Sequence, residues 1–219
     1  MSSETTAVEL PRLKVRIETL SELVFGLALS LGSIVLVQHI PQTSDALTMD
    51  VIQFGFSFLI IVGIWLGYTR IIGILPVETS FTVLLNLLLL FCVAIEPFLY
   101  FVLSESDPVF LDFSSAVFAL DIGAMMGLLS SMMFMVLREE KRGVRHRLRA
   151  SAVRNFRTSM ISQIIGALLF LASVSDVFWV QIPGVGSLRF LMWYGALGTF
   201  FASRIFARRG DEGTATPRV

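Results

Sequence analysis

Apolar, almost uncharged stretches alternate along the chain with short polar connections. Six such stretches lie near 20–40, 50–74, 80–103, 110–137, 158–180 and 186–207. A helix needs about 20 apolar residues to cross a hydrocarbon layer roughly 30 Å thick. Inside lipid the backbone must satisfy its own hydrogen bonds, so these stretches read as helices. An outer-membrane barrel would alternate apolar and polar positions. "TVLLNLLLLFCVAI" in the third stretch does not alternate, and the barrel is rejected. The pattern predicts an all-α integral membrane bundle of six transmembrane helices over 16–207. A segment at 1–15 and a tail at 208–219 flank it.

Charge gives the orientation. Arg12, Lys14, Arg16 and Arg70 precede the third stretch on one side. Eight basic residues from Arg138 to Arg157 join the fourth stretch to the fifth, and four more follow Ile205 or lie just before it. Of the 17 basic residues, only Arg189 falls on the other side, which carries Asp45, Asp50, Glu105, Asp107 and Asp112. Basic loops stay in the cytoplasm, so both termini are expected there, as an even number of spans requires. The expected location is the cell membrane, with multiple passes.

Composition agrees with that reading. Hydrophobic residues make up 55% of the chain, and its mean hydropathy is +0.78. Charged residues reach 16%, against about 25% in a soluble domain. The zero formal net charge averages two opposite faces and says little about partners. The basic region near 138–157 is expected to touch anionic lipid headgroups. No aromatic platform interleaves it, so nucleic acid is not an expected partner. Cys92 stands alone and reads as a small core residue. The N-terminus is too polar for a typical cleaved signal peptide. Residues 1–10 and 210–219 look like disordered tails.

Little in the chain suggests enzymatic chemistry. The two histidines, His39 and His146, lie at different depths, and no HExxH, CxxC, G-x-S-x-G or phosphate-binding loop occurs. No metal site or cofactor is expected. "LGYT" at 66–69 resembles a potassium-channel filter only as a scramble and carries no weight.

Polar residues at membrane depth are costly and mark candidate function. Glu22 lies near the cytoplasmic end of the first stretch, and Arg70 at the matching depth of the second. Asn86 lies in the inner half of the third, Glu96 and Pro97 in its outer third, and Asp121 near the middle of the fourth. Glu96 and Asp121 could serve interhelical hydrogen bonds, hold a proton, or act in transport. Gly63-x-x-x-Gly67 and Gly123-x-x-x-Gly127 place paired glycines on one helix face for close packing.

The first stretch, "RIETLSELVFGLALSLGSIV", has a more particular pattern. On a helix of 3.6 residues per turn, Glu22, Gly26, Ser30 and Ser33 share one arc. Leu23, Leu27, Ser30, Ile34 and Gln38 form an adjoining stripe, while Phe25, Ala28, Leu29, Val35 and Leu36 cover the remainder. Such a helix suits a position beside a pore axis. It is equally compatible with an ordinary buried helix whose small residues aid packing.

"RIETLSELVFGLALSL" resembles the first-span signature of the transmembrane protein 175 potassium-channel family. In that signature an Arg precedes Phe-Ser-Asp and an apolar stretch with small and hydroxyl residues. Arg16 and Ser21 match it, Leu20 replaces the Phe and Glu22 replaces the Asp. "FSFLIIVGIWLGYTR" and "LLNLLLLFCVAIEPF" resemble the family's second and third spans. The resemblance covers about the first half of the chain. It implies a potassium-permeable channel with no filter loop, potassium as the permeant ion, and a homotetramer of six-span subunits. First helices would line the pore, with Leu27 at the apolar constriction, Ser30 one turn on and Ile34 as a further ring. Arg16, Ser21 and Glu22, with Arg70 opposite, would form a polar network holding the first helix at its cytoplasmic end. Two other readings stand beside it. One is a proton-coupled secondary transporter using the carboxylate of Asp121 or Glu96. The other is a membrane scaffold with no transport of its own.

Overall fold

The computed structural model describes the backbone of residues 3–38, 41–74, 79–142, 150–182 and 186–212. Side chains are described over 14–34, 41–74, 79–141, 152–180, 187–201 and at Ile182. His39, His146, most of the basic region near 138–157 and the residues after 212 fall outside that set. So do the side chains of Val35, Leu36 and Gln38.

Among the described residues the protein is helical, apart from turns, short connections and a two-residue antiparallel pairing. Six long helices follow in order: α1 Ser3–Gln38, α2 Ser44–Ile72, α3 Ser80–Glu105, α4 Leu111–Arg142, α5 Ala150–Ser173 and α6 Leu188–Glu212. Among the described residues, segments of α1 to α5 are long and apolar enough to cross a membrane. Between α5 and α6 come a 3-10 turn at Asp176–Trp179 and strands β1 (Gln181–Ile182) and β2 (Gly186–Ser187). The strands pair Gln181 with Ser187 and Ile182 with Gly186.

Capping chemistry sets several helix ends. Thr43 accepts a hydrogen bond from the Ala46 amide at 3.1 Å, and Thr79 one from the Thr82 amide at 3.3 Å. Both satisfy amides that have no partner within the first turn. Past α3, the Asp107 carboxylate accepts from the amides of Val109 and Phe110 at 3.1 and 2.9 Å. This tight turn, of the kind Asp side chains favour, leads the chain into α4. Pro97 lies inside α3; without an N–H it leaves the Val93 carbonyl no amide four residues on.

The chain divides into two compact units, 1–114 and 115–219. In the first, α1 packs against α2 and α3. Its core holds Phe25 and Ala28 of α1, Ile60, Ile64 and Ile71 of α2, and Leu89 and Val93 of α3. Phe25 meets the Tyr68 ring with centroids 5.5 Å apart.

In the second unit α5 packs along α6. Trp193 stacks on Phe170 at 5.8 Å, tilts against Phe118 at 5.4 Å and meets Phe190 edge-on at 5.0 Å. The paired glycines of α4 have unequal roles. A Cβ at Gly123 would lie 3.0 Å from the Leu171 side chain, so Leu171 occupies that notch; one at Gly127 would meet nothing within 4 Å. A complementary notch lies on α5, where a Cβ at Gly166 would fall 2.7 Å from the Met126 sulfur.

The fifth helix ends at Ser173, short of the expected 180. The reason is Arg189, whose side chain is 0% exposed. Its Nε donates to the Ser173 carbonyl at 2.7 Å and an Nη to the Val174 carbonyl at 3.2 Å. The other Nη donates to Ser115 Oγ at 2.6 Å, and the guanidinium lies 4.8 Å from the centre of the Trp179 ring. Carbonyls at a helix C-terminus have no amide to accept from and carry its negative dipole end. The cation therefore satisfies them and gains compensation for leaving water. Ser173 is fastened again through its hydroxyl, which accepts from Trp193 Nε1 at 2.8 Å and donates to the Phe170 carbonyl at 2.6 Å.

Arg189→Ala should lower unfolding free energy by about 3 kcal/mol, since it orphans buried acceptors worth about 1–3 kcal/mol each. Arg189→Lys should recover only part of that loss, because an ammonium cannot fork across two carbonyls and a hydroxyl. Reversible unfolding of the purified protein in detergent measures both.

Candidate functional site

The first helix shows which of its faces is committed. Ser21, Phe25, Ala28 and Gly32 are buried and recur every three or four residues. They define the face that α2 and α3 cover. The opposite face is bare: Leu23 is 67% exposed, Leu27 57% and Ile34 49%. Ser30, Ser33 and Gly26 are exposed with them, and a Cβ at Gly26 would meet nothing within 4 Å. As far as Ile34, both stripes of the sequence pattern thus lie outside the core of the first unit. The Ser30 hydroxyl donates to the Gly26 carbonyl at 2.9 Å, and the Ser33 hydroxyl to the Ser30 carbonyl at 2.7 Å. Those bonds satisfy each hydroxyl proton without a second helix and leave the oxygens' acceptor capacity facing outward.

At the end of α1 where Ser21 lies, a polar anchor ties it to its neighbours. The Ser21 hydroxyl donates to the Ile17 carbonyl at 2.7 Å and shares a 2.5 Å hydrogen bond with the Tyr68 hydroxyl of α2. The Asn86 side chain of α3 also approaches that phenol. All three residues are buried. A hydroxyl pair with little access to water locks α1 in depth and rotation, because sliding by one residue would strand both groups. Lys14 adds a second tether, donating from Nζ to the Gly73 carbonyl just past α2.

The expected network is therefore only partly assembled. Ser21 and Asn86 come together, through Tyr68. Arg16, Glu22 and Arg70 are exposed and take no part in that buried cluster. Glu22 and Glu18 instead line a cavity of about 230 Å³ with Trp65, Tyr68, Thr69 and Ile72. Glu96 is fully buried, and its Oε1 accepts from the Ser57 hydroxyl of α2 at 2.6 Å. Asp121 is half-buried on α4.

Tyr68 and Ser57 were missed in reading the sequence. Tyr68 belongs to "LGYT", a stretch given no weight in the sequence reading. A lone phenol near the end of an apolar span, at the depth of Ser21, was the available signal. Ser57 gave none, since a single Ser in an apolar helix is ordinary.

These features define a multi-pass helical membrane protein in which one helix presents an unshared apolar and hydroxyl face. No family model and no curated protein matches the chain. Among solved structures, it is similar to the crystal structure of a lysosomal potassium-selective channel TMEM175 homolog from Chamaesiphon minutus. The TM-score is 0.59 at 19% identity, over 90% of this chain and 97% of that one. The chain shares the fold of that protein.

Tyr68→Phe and Ser21→Ala should each cost about 1 kcal/mol of stability, the net value of one hydrogen bond. The double variant should cost less than the sum, because both remove the same bond. A double-mutant cycle on unfolding free energy reads the coupling.

Proposed function

We propose that the chain is a potassium-permeable ion channel of the cell membrane, with both termini cytoplasmic. Four copies surround one pore, and α1 of each lines it. The observation that carries this reading is the bare α1 face. Leu23, Leu27, Ser30 and Ile34 turn away from a core already completed by Phe25 and Ala28. The likeness in fold to a TMEM175 homolog supports it. One subunit offers one such helix, and closing a pore requires several related by rotation; that there are four is what the resemblance implies.

On this reading Leu27 forms the constriction, Ser30 offers hydroxyl oxygens one turn on, and Ile34 forms a further apolar ring. A ring of Leu side chains controls passage by dewetting, and permeability then depends sharply on side-chain size. Gly26 and Ser33 leave a narrow flank through which neighbouring first helices approach. The Ser21–Tyr68 bond holds the lining helix in register, a function that Glu22 is not placed to share. Basic residues near 138–157 face anionic headgroups on the cytoplasmic side.

Leu27→Ala should raise conductance and bring the potassium-to-sodium permeability ratio nearer to unity. Planar-bilayer recordings of purified protein check this, and an unchanged ratio removes Leu27 from the pore. Asp121→Asn should leave potassium flux from liposomes intact. Abolished flux in folded protein would favour a carrier that needs this carboxylate, and no flux from the unmodified protein would favour a scaffold.

A further inference from the structure

The cavity between α1 and α2, on the side where both helices carry their basic ends, has no role in the pore reading. Glu18 and Glu22 lie four residues apart on α1 and enter its wall together. Like charges at that spacing oppose each other on a helix, so the pair does not serve helix stability. No other described residue forms an ion pair with either carboxylate, and the nearby Lys14 ammonium is engaged by the Gly73 carbonyl. Across from them α2 contributes the indole of Trp65, which is 37% exposed, together with Tyr68, Thr69 and Ile72.

We propose that this cavity binds an organic ammonium group. Two carboxylates supply the counter-charge, and an accessible indole face attracts a cation carried on an apolar body. Ile72 and the ring edges accept that body. The cavity, about 230 Å³, has room for much more than one water molecule. It is also smaller than sites for drug-sized molecules, about 300–1,000 Å³, which points to a compact amine or headgroup. The ammonium has two natural sources: a soluble amine, or the headgroup of a zwitterionic lipid at the interface where Trp residues concentrate. Glu22 directly precedes Leu23 on α1, so an occupant touches the helix that bears the bare face. Binding itself does not require that face to line a pore.

The test has two arms on the purified full-length protein. In the first, tetraethylammonium is titrated against the thermal unfolding midpoint, with sodium chloride at equal ionic strength as the reference. In the second, native mass spectrometry follows retention of phosphatidylcholine against phosphatidylglycerol. Both are repeated with the Glu18→Gln/Glu22→Gln double variant and, separately, with Trp65→Leu. Saturable binding in the first arm that weakens about tenfold in the variants, a loss of about 1.4 kcal/mol, supports the site and a soluble amine. Preferential phosphatidylcholine retention that the variants abolish supports the site and a lipid source. Binding that the substitutions leave unchanged, or none in either arm, overturns the proposal. Neither readout depends on ion flux, so the site and the channel reading fail separately.

Discussion

The first helix has one face to bury, and α2 and α3 take it. Everything distinctive about the first unit depends on that seating. Phe25 and Ala28 fill the core, while Ser21 reaches Tyr68 nearer the start of the helix. A helix turns 100° per residue, so committing 21, 25, 28 and 32 inward necessarily sends 23, 27, 30 and 34 outward. The bare apolar face therefore follows from the packing on the other side. A face of this kind gains little from lipid, which is as apolar as leucine, but gains by close packing of helices.

Several polar groups at membrane depth, in both units, are satisfied by a group close at hand. Arg189 uses carbonyls that the end of α5 would otherwise leave bare, and it sets where that helix stops. Glu96 takes the Ser57 hydroxyl across the α2–α3 contact, one residue before the proline that interrupts the α3 ladder. Serines on α1 return their protons to their own backbone. Such pairings cost little to form and much to break, since an unpaired group in an apolar setting loses water without replacement.

The departures of this chain from the resembling first-span signature have a visible consequence. With Glu in place of Asp, the residue after Ser21 does not join the buried cluster; it stands at a cavity beside Glu18. The anchoring falls to Ser21 and Tyr68, with Asn86 behind the phenol. The structure thus places Ser21 at the buried contact and Glu22 at an exposed position beside it.

By itself the sequence determined that the chain is a helical membrane protein, and roughly where its helices run. Runs of about 20 apolar residues admit few other structures, because lipid offers no partner to an unpaired backbone. It also determined which residues share a face of α1, since the helical period is fixed. Which face would be covered was beyond it, because both sides of α1 offered apolar and small residues in plausible stripes. The tertiary structure decided that, through a Phe25 ring that fits against Tyr68 while Leu23 and Leu27 stay exposed. It likewise decided the end of α5, where the apolar pattern ran on to 180 but a guanidinium from α6 terminates the helix at Ser173. Pattern is a property of neighbours in the chain, whereas caps and buried hydrogen bonds depend on residues brought together from far along it.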